Sequence, residues 1–244
     1  MKEMYNVSAS PHVRSGVTTA GIMRDVAIAL APACIFGVYW FGLKALTVLL
    51  TSVASSVVFE YLWERLMKKP KHAYECSALV TGILIGMNMP ASVPLWVPIV
   101  ASAFGIIVVK EMFGGLGQNF MNPALGGRCF VTLCFTGRMT YFAIEKATGD
   151  PFFYGAASID GISSATPLAV IKNLDASADI LSNVSLKNMF FGFTGGVIGE
   201  TSAIAILIGA AYLLVRRVIS FRIPVAYIAT FAVFALLFGA RPFD

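Results

Sequence analysis

The chain has 244 residues, of which 57% are hydrophobic and only 13% are charged, and its formal net charge is +5. A soluble domain carries about 25% charged residues, so this composition excludes an ordinary soluble protein and predicts an all-α polytopic membrane protein. The lysines and arginines flank apolar runs, which favours a membrane topology signal over a nucleic-acid surface.

Seven apolar runs predict a bundle of about seven transmembrane helices. The first 24 residues are polar and lack the apolar core of a signal peptide, so we expect insertion to begin with the first span. The third and fifth runs are the shortest of the seven and fall well below the roughly 20 residues that cross a bilayer. The predicted spans cover residues 25–42, 45–63, 76–89, 95–109, 124–135, 195–215 and 224–239.

Ionisable residues inside membrane spans are rare and usually serve a function, so each is a candidate functional residue. Arg128 interrupts the fifth run, where it would bind an anionic partner or form an ion pair between helices, and we favour the ion pair. Glu60 lies near the end of the second span, and we expect its side chain to extend to the membrane interface. The third run contains Gly82 and Gly86, which predict close packing against another helix.

A metal site is not predicted. None of the four cysteines forms a Cys-x-x-Cys pair, and the two histidines lie far apart in polar segments. We therefore expect the cysteines to pack as small apolar side chains. They are Cys34, Cys76, Cys129 and Cys134.

A glycine- and asparagine-rich segment, residues 113–124, separates the fourth and fifth runs. It contains Gly114, Gly115, Asn119 and Asn122. Non-helical backbone between apolar runs lines a protein cavity or an interface, or forms a simple turn at the membrane surface. From the residues alone both interpretations stand.

The segment between the fifth and sixth runs, residues 137–189, contains no apolar run of spanning length. Near its middle, small residues surround Thr166, and Pro167 disfavours helix at that threonine. A hydroxyl on extended backbone with small neighbouring residues is well suited to covalent modification. A stretch rich in small residues is also typical of an ordinary loop.

Glu200 lies in the glycine-rich start of the sixth run, residues 195–202. A carboxylate in a glycine-broken helix can bind a cation together with freed backbone carbonyls, as ion pathways do. The alternative is an interfacial glutamate paired with a neighbouring residue.

Three of these segments resemble motifs of membrane flavoproteins in the Rnf and sodium-pumping NADH:quinone oxidoreductase families. The first is similar to the flavin-attachment motif Asp-x-x-Ser/Thr-Gly-Ala-Thr, with Ser164 where the family most often has glycine. It consists of Asp160, Gly161, Ile162, Ser163, Ser164, Ala165 and Thr166. The resemblance implies that Thr166 carries FMN through a phosphoester bond installed by a separate flavin transferase.

The other two motifs lie in residues 114–124 and 196–202, and residues 8–14 also resemble the start of the RnfD subunit of Rnf complexes. The family resemblance implies a second, non-covalent flavin near Gly114, Gly115, Asn119 and Asn122. It also implies two related halves of five helices each. We therefore expect a first half over residues 1–136, a flavin-bearing segment over 137–189, and the start of a second half over 190–244.

The function implied by the resemblance is that of the RnfD membrane subunit of an Rnf-type ion-translocating ferredoxin:NAD+ oxidoreductase complex. Its FMN would pass electrons between an exported flavin subunit and the rest of the complex, which includes iron–sulfur subunits, and Glu200 would take part in Na+ or H+ translocation. No residue of the chain is expected to be catalytic by itself, because the flavin performs the redox chemistry. The alternatives are the NqrB subunit of a sodium-pumping NADH:quinone oxidoreductase and a flavin-free channel or transporter.

The distribution of basic residues predicts the orientation in the inner (plasma) membrane. With the amino terminus in the cytoplasm, the cytoplasmic segments hold eleven of the 18 lysines and arginines. Five crossings precede residue 137, so Thr166 is expected outside the cytoplasm.

Overall fold

The computed structural model describes residues 18–68, 76–142 and 185–238, and within these ranges the chain forms nine α-helices and no strand. The prediction of an all-α polytopic membrane protein is therefore confirmed. We number the helices α1 (Thr19–Phe41), α2 (Leu43–Leu66), α3 (Ser77–Met87), α4 (Trp96–Ala103), α5 (Pro123–Cys134), α6 (Thr136–Met139), α7 (Leu186–Phe191), α8 (Ala203–Val215) and α9 (Arg222–Phe238).

Three helical segments are long and apolar enough to cross a bilayer: α1, α2, and α4 together with its continuation. That continuation is a π-helix over Phe104–Lys110 followed by a 3-10 turn over Glu111–Phe113. Helices α3, α8 and α9 are apolar but shorter. Each of the seven predicted spans thus has a helical counterpart. The arrangement in two related halves of five helices, with boundaries at residues 136 and 189, stays a prediction.

Helices α1 and α2 form a hairpin with a very short turn. Gly42 has a φ of 75°, a left-handed value that favours glycine, and its amide donates to the carbonyl of Val38 at 2.8 Å. Because α2 begins directly afterwards, the two helices are antiparallel neighbours.

Helix α3 packs closely against α2, as its glycines predict. A Cβ atom on Gly82 would lie 2.7 Å from the Cα of Val53, and one on Gly86 would lie 2.9 Å from Leu49 Cδ2. Only glycine allows the two backbones to approach this closely. The buried core continues from this contact into α4 and α5. It includes Ala45, Val48, Ile85, Met89, Val97, Ala101, Ala124 and Val131.

One end of the bundle, which we call the basic face, gathers the start of α1, the end of α2 and the end of α8. The guanidinium of Arg216, just after α8, lies 3.1 Å from a carboxylate oxygen of Asp25 in α1. At the end of α2, Glu60 contacts Lys110, so the π-helix also ends on this side. The described basic residues of this face are Arg24, Arg65, Lys68, Lys110, Arg216, Arg217 and Arg222.

The opposite face is defined by contacts at the other helix ends. Trp40, near the end of α1, donates its indole N–H to the carbonyl of Thr194 at 3.2 Å. Ser92, before α4, donates its hydroxyl to the carbonyl of Tyr141 at 2.6 Å. The chain therefore leaves α6 and returns towards α8 on the same side of the bundle.

Candidate functional site

The end of α3 meets the segment that precedes α8. The amide of Gly199 donates to the carbonyl of Met87 at 2.8 Å, and the amide of Ile198 donates to that of Met89 at 3.1 Å. A Cβ atom on Gly199 would lie 2.6 Å from the Cβ of Met87, so a larger residue could not make this approach. The non-helical backbone of residues 198–199 thus joins the last residue of α3 and the segment that follows it.

Residues 195–202 are not helical, although the prediction started the sixth span at residue 195. The helix begins only at Ala203, because Ser202 adopts an extended conformation and its side chain accepts a hydrogen bond from the amide of Ala205. Apolar Val197 and Ile198 belong to the core by burial but not to a helix. The boundary prediction was therefore wrong, and Glu200 lies before the helix rather than within it.

The carboxylate of Glu200 pairs with Arg128 of α5. The guanidinium Nη1 lies 2.9 Å from Glu200 Oε1, and the same nitrogen donates to Asn88 Oδ1 at 2.6 Å. Asn88 is held in turn, because its Nδ2 donates to the carbonyl of Leu84 at 2.8 Å. The ion pair predicted for Arg128 is confirmed, although its partner lies before α8 rather than in a helix. For Glu200, pairing with another residue is the alternative that the sequence left open beside the ion pathway.

This pair is accessible in the described part of the chain. The side chain of Arg128 is 34% exposed and that of Glu200 is 59% exposed. An ion pair in contact with water contributes only about 0–1 kcal/mol, and these exposed fractions place the pair at the surface of the described structure. We call Arg128, Glu200 and Asn88 the polar centre.

A second polar cluster lies at the basic face and is almost completely buried. Lys110 Nζ donates to Glu60 Oε2 and to Ser77 Oγ, each at 2.7 Å. Glu60 and Lys110 each have a side-chain exposure of 3%. The expectation that Glu60 extends to the interface is wrong, because Lys110 offers a charged partner inside the bundle.

The π-helix explains why Lys110 was not predicted as that partner. The residue follows an apolar run and has the sequence position of an ordinary span terminus. A π-helix adds residues to each turn, so it changes the face that Lys110 presents relative to a regular α-helix. Two more acidic side chains, Glu64 and Glu111, are buried nearby, and Glu111 lies 4.0 Å from the Lys110 ammonium.

The glycine-rich segment forms a tight loop between the π-helix and α5. Gly114 and Gly115 have φ values of 116° and 97°, which favour glycine. Asn122 caps α5 by accepting from the amide of Ala124 at 2.9 Å, while Asn119 Nδ2 donates to the carbonyl of Met121 at 2.6 Å. These contacts are those of a turn, which is one of the two structures that the sequence predicts for this segment. The role of the loop in holding a flavin stays a prediction.

The predicted flavin-attachment motif around Thr166 lies outside the described residues. No group of three or more His, Cys, Asp or Glu side chains is placed to hold a metal ion in residues 18–68, 76–142 and 185–238.

The fold and the polar centre define a polytopic membrane protein with interrupted helices, an architecture that ion-translocating proteins use. The chain belongs to the NQR2, RnfD, RnfE family, which it matches over residues 6–244. The resemblance found in the sequence motifs is therefore confirmed.

Named relatives support the same assignment. The chain is 44% identical over 238 residues to the D subunit of the Na(+)-translocating ferredoxin:NAD(+) oxidoreductase complex of Acetobacterium woodii, covering 97% of this chain and 70% of that protein. It is 35% identical over 243 residues to the D subunit of the proton-translocating ferredoxin:NAD(+) oxidoreductase complex of Clostridium ljungdahlii, covering 98% and 70%. It is also 35% identical over 243 residues to the D subunit of the ion-translocating oxidoreductase complex of Rhodobacter capsulatus, covering 93% and 68%.

Proposed function

We propose that the chain is the RnfD-type membrane subunit of an ion-translocating ferredoxin:NAD+ oxidoreductase. The observation that carries this proposal is the 44% identity, over 97% of the chain, to the D subunit of such a complex. The family match also includes NQR2 proteins, so the NqrB subunit of a sodium-pumping NADH:quinone oxidoreductase is the second candidate.

Within that function, Thr166 is the residue that would hold a covalent FMN. A phosphoester needs a side-chain oxygen, which the threonine hydroxyl supplies. Bound there, the flavin would accept and donate electrons. The surrounding residues would keep the backbone open to the flavin transferase, because their side chains are small or short. They are Asp160, Gly161, Ser163, Ser164 and Ala165.

The position of the flanking residues supports a location outside the cytoplasm. Tyr141 and Thr194 both lie at the opposite face, away from the lysines and arginines of the basic face. Basic segments stay in the cytoplasm, so the basic face is cytoplasmic in the plasma membrane. The segment that contains Thr166 then begins and ends at the extracytoplasmic side, where an exported flavin subunit could exchange electrons with it.

Glu200 is the residue that would couple the electron transfer to ion movement. It lies where α3 and the segment before α8 join, and interrupted helices of this kind place carboxylates and backbone carbonyls near transported ions. The relatives include one named for Na+ and one named for protons, so their names leave both ions open.

The loop with Gly114, Gly115, Asn119 and Asn122 would hold a second, non-covalent flavin. The aromatic rings of Phe113 and Phe120 border it, with their centroids 4.8 Å apart. Aromatic side chains and backbone amides are the usual lining of a cofactor site. The iron–sulfur subunits of the complex would supply or remove the electrons.

The decisive experiment compares two substitutions of Thr166 in the assembled complex. Thr166→Val keeps the β-branched shape but removes the hydroxyl, so covalent flavin fluorescence in a denaturing gel should disappear while the amount of protein is unchanged. Thr166→Ser keeps a hydroxyl and should retain some attachment. Ser163→Ala and Ser164→Ala are the matched controls and should keep the flavin.

Covalent flavin that persists in Thr166→Val would place the attachment elsewhere and overturn this part of the proposal. A complex without any flavin in the unmodified protein would favour a flavin-free channel or transporter instead. The ferredoxin-dependent reduction of NAD+ by the purified complex distinguishes the first candidate from an NADH:quinone oxidoreductase.

A further inference from the structure

Two oxygen atoms from different parts of the chain converge on a single nitrogen of Arg128. Glu200 Oε1 lies 2.9 Å from Nη1, and Asn88 Oδ1 lies 2.6 Å from the same atom. A carboxylate oxygen and an amide oxygen that meet at one positively charged point are also the ligands that hard metal cations prefer.

The amide oxygen is directed towards this point by the rest of its side chain. Asn88 Nδ2 donates to the carbonyl of Leu84, one turn earlier in α3, at 2.8 Å. The nitrogen side of the amide is therefore occupied, and the oxygen faces Arg128. This arrangement would present Oδ1 to a cation without a change in the asparagine side chain.

A buried hydroxyl belongs to the next residue in the sequence. Thr201 follows Glu200 directly, its residue is only 8% exposed, and its Oγ1 makes no hydrogen bond within the described residues. Buried hydroxyls almost always have a partner in folded proteins, so this oxygen is available to a water or an ion. The unsatisfied hydroxyl is independent of the Arg128 contact.

The guanidinium can leave, because this ion pair is exposed. Arg128 has 34% of its side chain accessible and Glu200 has 59%, whereas the Lys110–Glu60 pair is 3% exposed on both sides. Exposed pairs are weak, and a long flexible side chain can release one oxygen partner for another. Of these two ion pairs, the one at Glu200 is therefore the one that an incoming cation could open.

We propose that Asn88 Oδ1 and Glu200 Oε1 are two ligands of a Na+ site, and that Arg128 occupies this site as a built-in competitor. The proposal rests on the proposed role of Glu200 in ion movement and adds the ligand set and its regulation. Sodium binds when the guanidinium moves aside, and the returning guanidinium displaces it. The amide oxygen selects a metal cation over a proton, because a neutral amide coordinates cations but is not protonated near neutral pH.

Competition between Arg128 and Na+ predicts how the affinity for Na+ changes in variants. The apparent affinity for Na+ is reduced by the fraction of molecules in which Arg128 holds the two oxygens. Removing the competitor should therefore strengthen Na+ binding, whereas removing an oxygen ligand should weaken it. A residue with only a structural role would not produce shifts in opposite directions.

The test measures ferredoxin-driven NAD+ reduction by the complete complex in membrane vesicles as a function of NaCl concentration. Arg128→Gln should lower the apparent KM for Na+ about two- to fivefold, the range that an exposed ion pair supports. Asn88→Ala should raise that KM about tenfold or more with kcat retained, because a polar contact to a charged group is lost. Arg138→Gln removes an exposed arginine of α6 and is the matched control, with an unchanged KM.

Three results would overturn the proposal: an unchanged KM in both variants, a loss of kcat without a KM shift, or a complex that translocates ions without any response to Na+. Asn88→Gln keeps the amide but moves its oxygen, and it should raise the KM for Na+ if Asn88→Ala fails to assemble. Glu200→Gln, measured both for NAD+ reduction and for ion uptake into the same vesicles, separates this inference from the proposed function. If Glu200→Gln stops translocation while the other variants leave KM unchanged, only the ligand set is wrong.

Discussion

The buried ion pair between Lys110 and Glu60 gives the clearest prediction about stability. Lys110→Met keeps the length of the side chain but leaves the Glu60 carboxylate, 3% exposed, with the Ser77 hydroxyl as its remaining contact in this cluster. Breaking a buried pair by removing one partner costs about 3–5 kcal/mol, because the other charge stays buried. Folded domains are stable by only about 5–15 kcal/mol, so this loss is large.

Removing both charges should cost much less than removing one. In the double variant Glu60→Gln, Lys110→Met, both members of the ion pair are uncharged and their side-chain volumes are nearly conserved, while Glu111 loses its 4.0 Å contact with the ammonium in the single and the double variant alike. We therefore expect the double variant to recover most of the stability that Lys110→Met loses. With the single variant Glu60→Gln added, the coupling free energy of the two side chains is the loss in the double variant minus the sum of the two single losses.

The assay is the thermal unfolding of the detergent-extracted protein, followed by size-exclusion chromatography with a fluorescent fusion. A loss of 3–5 kcal/mol corresponds to a decrease in Tm of about 6–20 °C for a chain of this size. Lys187→Met, which replaces an exposed lysine of α7, is the matched control and should shift Tm little. A Tm for Lys110→Met equal to that of the control, or a double variant as unstable as the single one, would refute the reasoning.

Three further predictions test the packing and the ends of the helices. Gly82→Ala should destabilise the protein, with a loss of about 1–3 kcal/mol, because its Cβ would lie 2.7 Å from the Cα of Val53, and a lower Tm would show it. Gly137→Ala has no atom within 4 Å of the added carbon and should keep the Tm of the unmodified protein. Asp25→Asn weakens a contact with Arg216, whose side chain is 57% exposed while that of Asp25 is 16% exposed, and should cost about 1–2 kcal/mol, so a Tm loss as large as that of Lys110→Met would contradict the burial argument.

The membrane class and the approximate positions of the helices could be predicted from the sequence, because apolar runs of spanning length rarely occur outside membrane proteins. The start of α8 could not. Val197 and Ile198 extend the apolar run towards the amino terminus, but the backbone there pairs with Met87 and Met89 instead of forming a helix. An apolar run predicts that residues are buried, but buried residues can also belong to a non-helical segment in a protein core. Hydropathy therefore does not fix where the helix begins.

The residues of the polar centre were only partly predictable. Arg128 and Glu200 are conspicuous because charged residues are rare in apolar runs. Their pairing was not predicted, since it joins positions 72 residues apart, and Asn88 contributes from 40 residues away. The sequence does not mark Asn88 as a site residue, because an asparagine directly after a helix is typical of an ordinary helix C-terminus. Lys110 was missed for a different reason, the change of face caused by the π-helix.

The contacts at the helix ends and the distribution of basic residues together predict a membrane topology that can be tested. Asp25 pairs with Arg216 at the basic face, while Tyr141 and Thr194 lie at the opposite face, so the chain on both sides of Thr166 reaches the same side of the bundle. If the basic face is cytoplasmic, a single cysteine at Ser158→Cys should react with an impermeant thiol reagent in intact cells.

The matched control is Lys68→Cys, after the end of α2 at the basic face, which should react only after lysis. Both variants need a background in which the native cysteines are replaced. These are Cys34, Cys76, Cys129 and Cys134. Labelling of Ser158→Cys only after lysis, with Lys68→Cys labelled in intact cells, would invert the topology. The proposed FMN site would then face the cytoplasm, where an exported flavin subunit could not exchange electrons with it.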